Sequence, residues 1–212
     1  MTKAIRWRVL VLQTGLVLIL GFVAGFAFWA GSFTHSQVTS QLAAQEITFP
    51  TADNAAITAL PAADAAAMRQ YAGETMTTGD QAEVYADHFI KVHLGEMGMT
   101  YSQASAAARA NPTSTKAAAL ETTIFQGTTL RSMLLNAYGW WTLGTYATYA
   151  GAGLAVAAFV VLLALGFELG RWAVVARAAK PAFAEAPAEA PAPAFGHTSP
   201  GYGVSQFTRH DS

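Results

Sequence analysis

Two apolar stretches decide the fold of this chain: 9-VLVLQTGLVLILGFVAGFAFWAGSF-33 and 143-LGTYATYAGAGLAVAAFVVLLALGF-167. Neither contains an acidic residue, a lysine or an arginine. At about 1.5 Å of rise per residue, a helix formed by either stretch crosses the roughly 30 Å hydrocarbon core of a bilayer. The sequence therefore predicts an all-α membrane protein with two transmembrane helices and a long polar segment between them.

Basic residues flank the two stretches and predict their orientation. Lys3, Arg6 and Arg8 precede the first stretch, and Arg171, Arg177 and Lys180 follow the second. Cytoplasmic flanks of membrane spans are enriched in such residues, so we expect a multi-pass plasma-membrane protein with both termini in the cytoplasm. The segment between the spans carries more acidic than basic residues. A basic groove for nucleic acid is therefore not expected.

The predicted organisation has five parts. They are a cytoplasmic N-terminus (1–8), a first span (9–33), an extracytoplasmic helical domain (34–137), a second span with interfacial aromatics (138–170) and a disordered cytoplasmic tail (171–212). The tail is rich in Pro and Ala and has too little apolar bulk to fold. The first span could instead be a cleaved signal peptide, with Gly25 and Ala27 near the cut. Its apolar character continues to Phe33, which favours a retained anchor.

Tryptophan and glycine residues suggest how the spans sit and pack. Trp residues near the span ends are expected at the membrane interface, namely Trp7, Trp29, Trp140, Trp141 and Trp172. Small residues let helices approach closely in lipid, and the candidates for helix packing are Gly21, Gly25, Gly144, Gly151 and Gly153. The two spans are therefore expected to pack on each other.

The segment between the spans is predicted to be mostly helical. Thr78 with Gln81, and Thr100 with Gln103, have the spacing of a capping box, in which the two side chains cap each other's backbone. They predict helices from about 79 to 94 and from about 100 to 111, and a third helix is expected from about 114. The stretch 47–50 is predicted to be extended, and a short helix is predicted near 62–68. The chain has no cysteine, so packing alone must hold this domain.

One cluster of residue types resembles a metal site. His88, His93 and Glu96 lie close together in the sequence, and His35 or Glu121 could supply a further ligand. Residues five apart on a helix point about 140° apart, so His88 and His93 cannot bind one ion as an i,i+4 pair would. A solvated polar face is the favoured interpretation, and no cofactor is expected.

Three short motifs resemble a family of two-span actinobacterial membrane proteins with an outward helical domain. They are 40-SQL-42 with 45-QEITFP-50, then 98-GMTYSQ-103, then 129-TLRSML-134. Members of this family often carry the name aromatic ring-opening dioxygenase, although the family's function is unestablished. A non-haem iron dioxygenase needs two histidines and a carboxylate that converge on the metal, and the sequence offers no such set.

The sequence thus favours a non-catalytic envelope protein, an accessory or structural subunit of a membrane assembly. Its expected partners are the lipid bilayer and other membrane subunits or a second copy. Two alternatives stay open: an extracytoplasmic metal-dependent enzyme, which needs converging ligands, and a sensor that couples the outer domain to the tail.

Overall fold

The structure is a computed structural model that describes residues 3–178, and these residues form an all-helical chain. Its elements are α1 (Lys3–Ala43), α2 (Ala55–Thr58), α3 (Ala62–Arg69), α4 (Gly79–Val84), a π-helical turn (Tyr85–Ile90), α5 (Lys91–Glu96), α6 (Tyr101–Ala110) and α7 (Thr115–Ala178). Within the described part of the chain, residues 3–169 form one compact unit. In the second unit, residues 170–212, the end of α7 is the described part, and the rest of the predicted tail lies outside the described residues.

Helices α1 and α7 contain the two apolar stretches. Both are long and apolar enough to cross a membrane, judged by length and composition. Their apolar side chains are largely uncovered by the rest of the protein: Leu12 is 72% exposed, Phe22 75% and Phe159 59%. A side chain of this kind stabilises a fold only when something removes it from water, so these helices need an apolar environment outside this chain.

Helix α7 is longer than the sequence suggested. A helix was predicted to start near Ser114, and the helix runs without interruption from Thr115 to Ala178. The Ser114 hydroxyl accepts the Ala117 N–H at 3.2 Å and caps its start. The helix also continues past residue 170, where the disordered tail was predicted to begin. Residues 171–178 contain no proline or glycine, so nothing in their sequence interrupts the helix.

The chain between α1 and α7, residues 44–114, forms a small domain that we call the intervening domain. Its largest fully buried side chains are Phe49, Ile57, Met68 and Met76. Val38 and Leu42 of α1 and Leu134 of α7 belong to the same hydrophobic core. The two long helices therefore supply part of the interior of this domain.

A short extended pairing lies beside this core, where the sequence predicted an extended segment. Thr48 bridges Thr75, Phe49 N–H donates to the Glu74 carbonyl at 2.9 Å, and Met76 N–H donates to the Ile47 carbonyl at 2.8 Å. The bonds satisfy backbone groups that would otherwise be buried without partners.

The two predicted capping boxes are both present. The Thr78 hydroxyl accepts the Gln81 N–H at 3.2 Å, and the Gln81 side chain accepts the Thr78 N–H at 3.0 Å. Thr100 and Gln103 make the corresponding pair at the start of α6. The helix that begins at Gly79 runs on to Glu96, and Gly98 then adopts φ +69°, a conformation that glycine tolerates best. The π turn within this helix was not predicted.

A glycine pair tests how tightly the intervening domain is seated on α7. A Cβ atom on Gly79 would lie 2.1 Å from Trp141 Cβ, whereas a Cβ on Gly95 would meet nothing within 4 Å. We expect Gly79→Ala to destabilise the protein by about 1–3 kcal/mol through overpacking. Gly95→Ala should be neutral or stabilise it by up to about 1 kcal/mol, because alanine favours helix. Thermal unfolding in mild detergent measures both, and equal effects would contradict the packing described here.

Candidate functional site

Trp141 of α7 joins the two long helices to the intervening domain. Its ring stacks on the imidazole of His35 from α1, with ring centroids 4.1 Å apart. Its indole N–H donates to Asp80 Oδ2 at 3.2 Å, and its Cβ and Cγ atoms lie against Gly79 at the start of α4. Trp141 is half-buried in these contacts. The expectation of a simple interfacial anchor missed them, because a sequence does not show which side chains meet across the fold.

His35 fixes this junction from the side of α1. Its Nε2 lies 3.0 Å from the Trp141 carbonyl oxygen and 3.2 Å from the Thr145 hydroxyl. A carbonyl oxygen can only accept, so Nε2 is the nitrogen that carries the hydrogen in this bond. His35 therefore lies in the contact between the two long helices, although its residue type made it a candidate for a further metal ligand.

The other four tryptophans lie on exposed helix surface. Trp7 is 65% exposed, and Trp29, Trp140 and Trp172 are about half exposed or more. Trp29 stacks on Phe33 with centroids 5.6 Å apart. Their exposure leaves these rings free to sit at a membrane surface, the role predicted for them.

Helices α1 and α7 touch through their backbones. A Cβ on Gly31 would lie 2.7 Å from the Gly144 carbonyl oxygen, and a Cβ on Gly151 would lie 3.2 Å from the Ala24 carbonyl oxygen. Gly144 and Gly151 were predicted for helix packing and lie in this contact. Gly31 was not predicted, although its spacing from Ala24 and Ala27 places the three residues on one face of α1. Approach of this kind requires residues without large side chains.

The remaining predicted packing glycines do not lie in this contact. Gly21 and Gly25 of α1 and Gly153 of α7 have no atom within 4 Å of a Cβ position, apart from their own helix backbone. Gly153 is two residues from Gly151 and therefore points to a different side of α7. The glycines predicted for helix packing therefore lie on two different helix faces, and only the structure shows which glycines face the other helix.

Two neighbouring glycines test the α1–α7 contact. Gly151→Leu should push the helices apart and destabilise the protein by roughly 1–3 kcal/mol, because the added atoms meet the backbone at Ala24. Gly153→Leu is the matched control and should change the stability little, because its Cβ meets open space. Thermal unfolding in detergent compares the two variants. A larger effect at Gly153 would mean that the two helices pack through another face.

The two histidines of the predicted polar cluster have separate partners. His88 Nδ1 lies 2.7 Å from Asp64 Oδ1 on α3, and His93 Nδ1 lies 2.8 Å from the Phe89 carbonyl oxygen in the preceding turn. Glu96 is exposed at the end of α5. Among the described residues, no group of three or more His, Asp or Glu residues is placed to hold a metal ion.

The π turn directs two successive side chains to two different helices. Asp87 accepts two bonds from the Arg131 guanidinium of α7, at 3.2 and 2.5 Å, while His88 next to it pairs with Asp64 of α3. These side chains are about a quarter to a third exposed, so each pair contributes little on its own, about 0–1 kcal/mol. Their effect is to orient the turn between α3 and α7.

Three groups of the intervening domain have shifted pKa values. Burial against the aromatic core raises the pKa of Tyr85. Burial, followed by the nearby charges of Asp80, Glu74 and Glu83, raises the pKa of Tyr71. A hydrogen bond from Thr51 lowers the pKa of Asp53, which is at the surface. Tyrosines with raised pKa values stay neutral at physiological pH and serve as packing residues here.

A groove of about 550 Å³ runs between α1 and α7, beside the intervening domain. One wall extends along α1 from Phe33 to Leu42 and continues to Gln45 and Ile47 beyond the end of this helix. The other wall extends along α7 from Leu130 to Trp140. Apolar side chains form most of its surface, and Val38, Leu42 and Leu134 connect it to the core. The volume lies within the range of ligand-binding pockets in proteins.

The polar side chains of this groove are neutral. They are the amides of Gln37, Gln41, Gln45 and Asn136, together with the hydroxyl of Thr34. None of the residues that line the groove in the described part of the chain is charged. The four side-chain amides make no hydrogen bond within the described residues, whereas Thr34 bonds back to the Ala30 carbonyl at 2.8 Å. The groove thus offers amide donors and acceptors above an apolar floor.

Comparison with protein-family models, with curated proteins and with solved structures found no match to this chain.

Proposed function

We propose that this chain is a non-catalytic integral membrane protein of the cell envelope, an accessory or structural subunit of a membrane assembly. In this proposal α1 and α7 span the plasma membrane, the intervening domain faces outward, and both termini are cytoplasmic. The proposal includes kinship with the two-span actinobacterial family that the sequence resembles. The observation that carries it is the uncovered apolar surface of α1 and α7.

A bilayer would lower the free energy of the two long helices by removing their apolar surface from water. Burial of apolar area contributes roughly 25 cal/mol per Å², and soluble monomers rarely expose apolar patches larger than a few hundred Å². Both long helices leave nearly all of their most apolar windows uncovered, with 6% buried. A bilayer removes this surface from water along its full length, and the basic flanks orient the helices across it.

Two glycines of α1 that make no close contact with the rest of the described structure support an assembly. Gly21 and Gly25 are four apart on one face of α1, and a Cβ on either would meet nothing within 4 Å. This small-xxx-small spacing is typical of helices that associate laterally in lipid. A neighbouring transmembrane helix on this face would cover a surface that α7 does not use.

Orientation is tested with single cysteines, because the chain has none of its own. Ser102 is exposed on α6, whereas Ser105 in the same helix is 7% exposed and accepts a bond from Arg109, so Ser102 is the better reporter. We expect Ser102→Cys to react with an impermeant maleimide on intact cells, and Ser205→Cys to react only after lysis. Reaction of Ser205→Cys on intact cells would overturn the orientation.

Association is tested by purification in mild detergent followed by mass spectrometry. A stoichiometric membrane partner or a second copy should accompany the wild-type protein. Gly25→Leu should weaken this association about tenfold or more, because leucine separates the helix backbones by several ångströms. Gly166→Leu on α7 is the control, since its Cβ position is equally open but lies outside the predicted stripe. Equal retention in both variants would remove the support that Gly25 gives to the assembly.

A further inference from the structure

We propose that the groove between α1 and α7 binds one acyl chain of a membrane lipid and holds it above the hydrocarbon boundary. The inference rests on the proposed membrane insertion. Gln37, Gln41, Gln45 and Asn136 then hydrogen-bond the uncharged ester or hydroxyl groups of that lipid.

The dimensions of the groove fit a single chain. From Phe33 to Leu42, the groove-lining part of α1 rises about 14 Å. A volume of about 550 Å³ over that length corresponds to a mean cross-section of roughly 40 Å². A helix with its side chains, about 10–12 Å in diameter, needs roughly 80–110 Å². A polymethylene chain with neighbouring carbons about 4 Å away needs only about 15–20 Å². A polypeptide helix would therefore rest on the rim, whereas an acyl chain enters.

The position of the groove gives a lipid direct access. Phe33 is the last residue of the first apolar stretch, and Trp140 lies just before the second. Both line the groove, so one end of it meets the place where the helices would leave the hydrocarbon. A chain can enter from the bilayer at this end without crossing water.

The lining of the groove explains why an acyl chain would bind there. A lipid chain in the bilayer is already out of water, so its own transfer supplies little free energy. The gain comes instead from covering apolar groove side chains, such as Met133, which is 65% exposed. Unpartnered amides on the same walls add hydrogen bonds to ester or hydroxyl oxygens. The uncharged lining selects these groups over a free ionic headgroup.

Photolabelling of the full chain in phospholipid nanodiscs tests this. The nanodiscs contain phosphatidylcholine with a trace of phosphatidylcholine that carries a diazirine on one acyl chain, and mass spectrometry locates the adducts. We expect adducts on groove residues such as Leu130 and Met133 as well as on the apolar stretches. Gln41→Trp fills the groove and should lower the groove adducts about tenfold. Ser40→Trp, at an exposed position outside the groove lining, should leave them unchanged.

A second, smaller substitution distinguishes loss of lipid binding from misfolding of the variant. Gln41→Glu keeps the size of the side chain and adds a charge to an apolar wall, so groove adducts should fall several-fold, whereas Ser40→Glu should not change them.

Adducts on the apolar stretches serve as the internal standard. If these appear without groove adducts, the lipid inference is wrong and the proposed membrane insertion stands. If neither appears, the proposed insertion fails as well. A photoreactive amino acid at Met133 that captures a polypeptide in cell membranes would also overturn the lipid assignment.

Discussion

The fold depends on one steric constraint, the backbone contact between α1 and α7 at Gly31 and Gly144. Because neither residue has a side chain, the carbonyl oxygens of each helix approach the α-carbon of the other. This approach brings His35 against Trp141 about one helical turn further along α1. Trp141 in turn provides the surface on which Gly79 and Asp80 seat the first turn of α4. A chain of contacts therefore runs from the apolar helices to the intervening domain, and each contact fixes the place of the next.

The intervening domain has no covalent cross-link and few strong polar contacts. It has no cysteine, and its Asp87–Arg131 and His88–Asp64 contacts are partly exposed and weak. A domain of this size buries a modest fraction of its surface, so apolar contacts with neighbouring helices add to its stability. Such contacts come from Val38 and Leu42 on α1 and from Leu134 on α7, which belong to the same core as Met68. Folding of the domain is therefore coupled to the pairing of the two long helices.

Local chemistry made much of the fold predictable, and long-range contact made the rest unpredictable. The capping boxes at Thr78 and Thr100 and the extended stretch 47–50 depend on residues close in sequence, and the structure contains them all. The π turn has no comparable signal, because its partners Asp64 and Arg131 come from distant helices. Glycine positions were visible in the sequence, but their helix faces were not, so Gly151 and Gly153 were assigned together. The groove forms only when α1 and α7 lie side by side, so the sequence of either helix alone could not predict it.

The groove and the core of the intervening domain share side chains, and this gives the groove a thermodynamic role. Val38, Leu42 and Leu134 line the groove and also belong to the core, next to residues of α2, α3 and α4. A ligand that binds only the folded arrangement stabilises it in proportion to the logarithm of the ligand concentration. Occupation of the groove by a lipid chain would therefore stabilise the seating of the domain on Trp141, and loosening of that seating would weaken lipid binding by the same factor. A lipid in the groove would then act on the domain through the side chains of Val38, Leu42 and Leu134, without contacting the Asp87–Arg131 ion pair or the His88–Asp64 hydrogen bond.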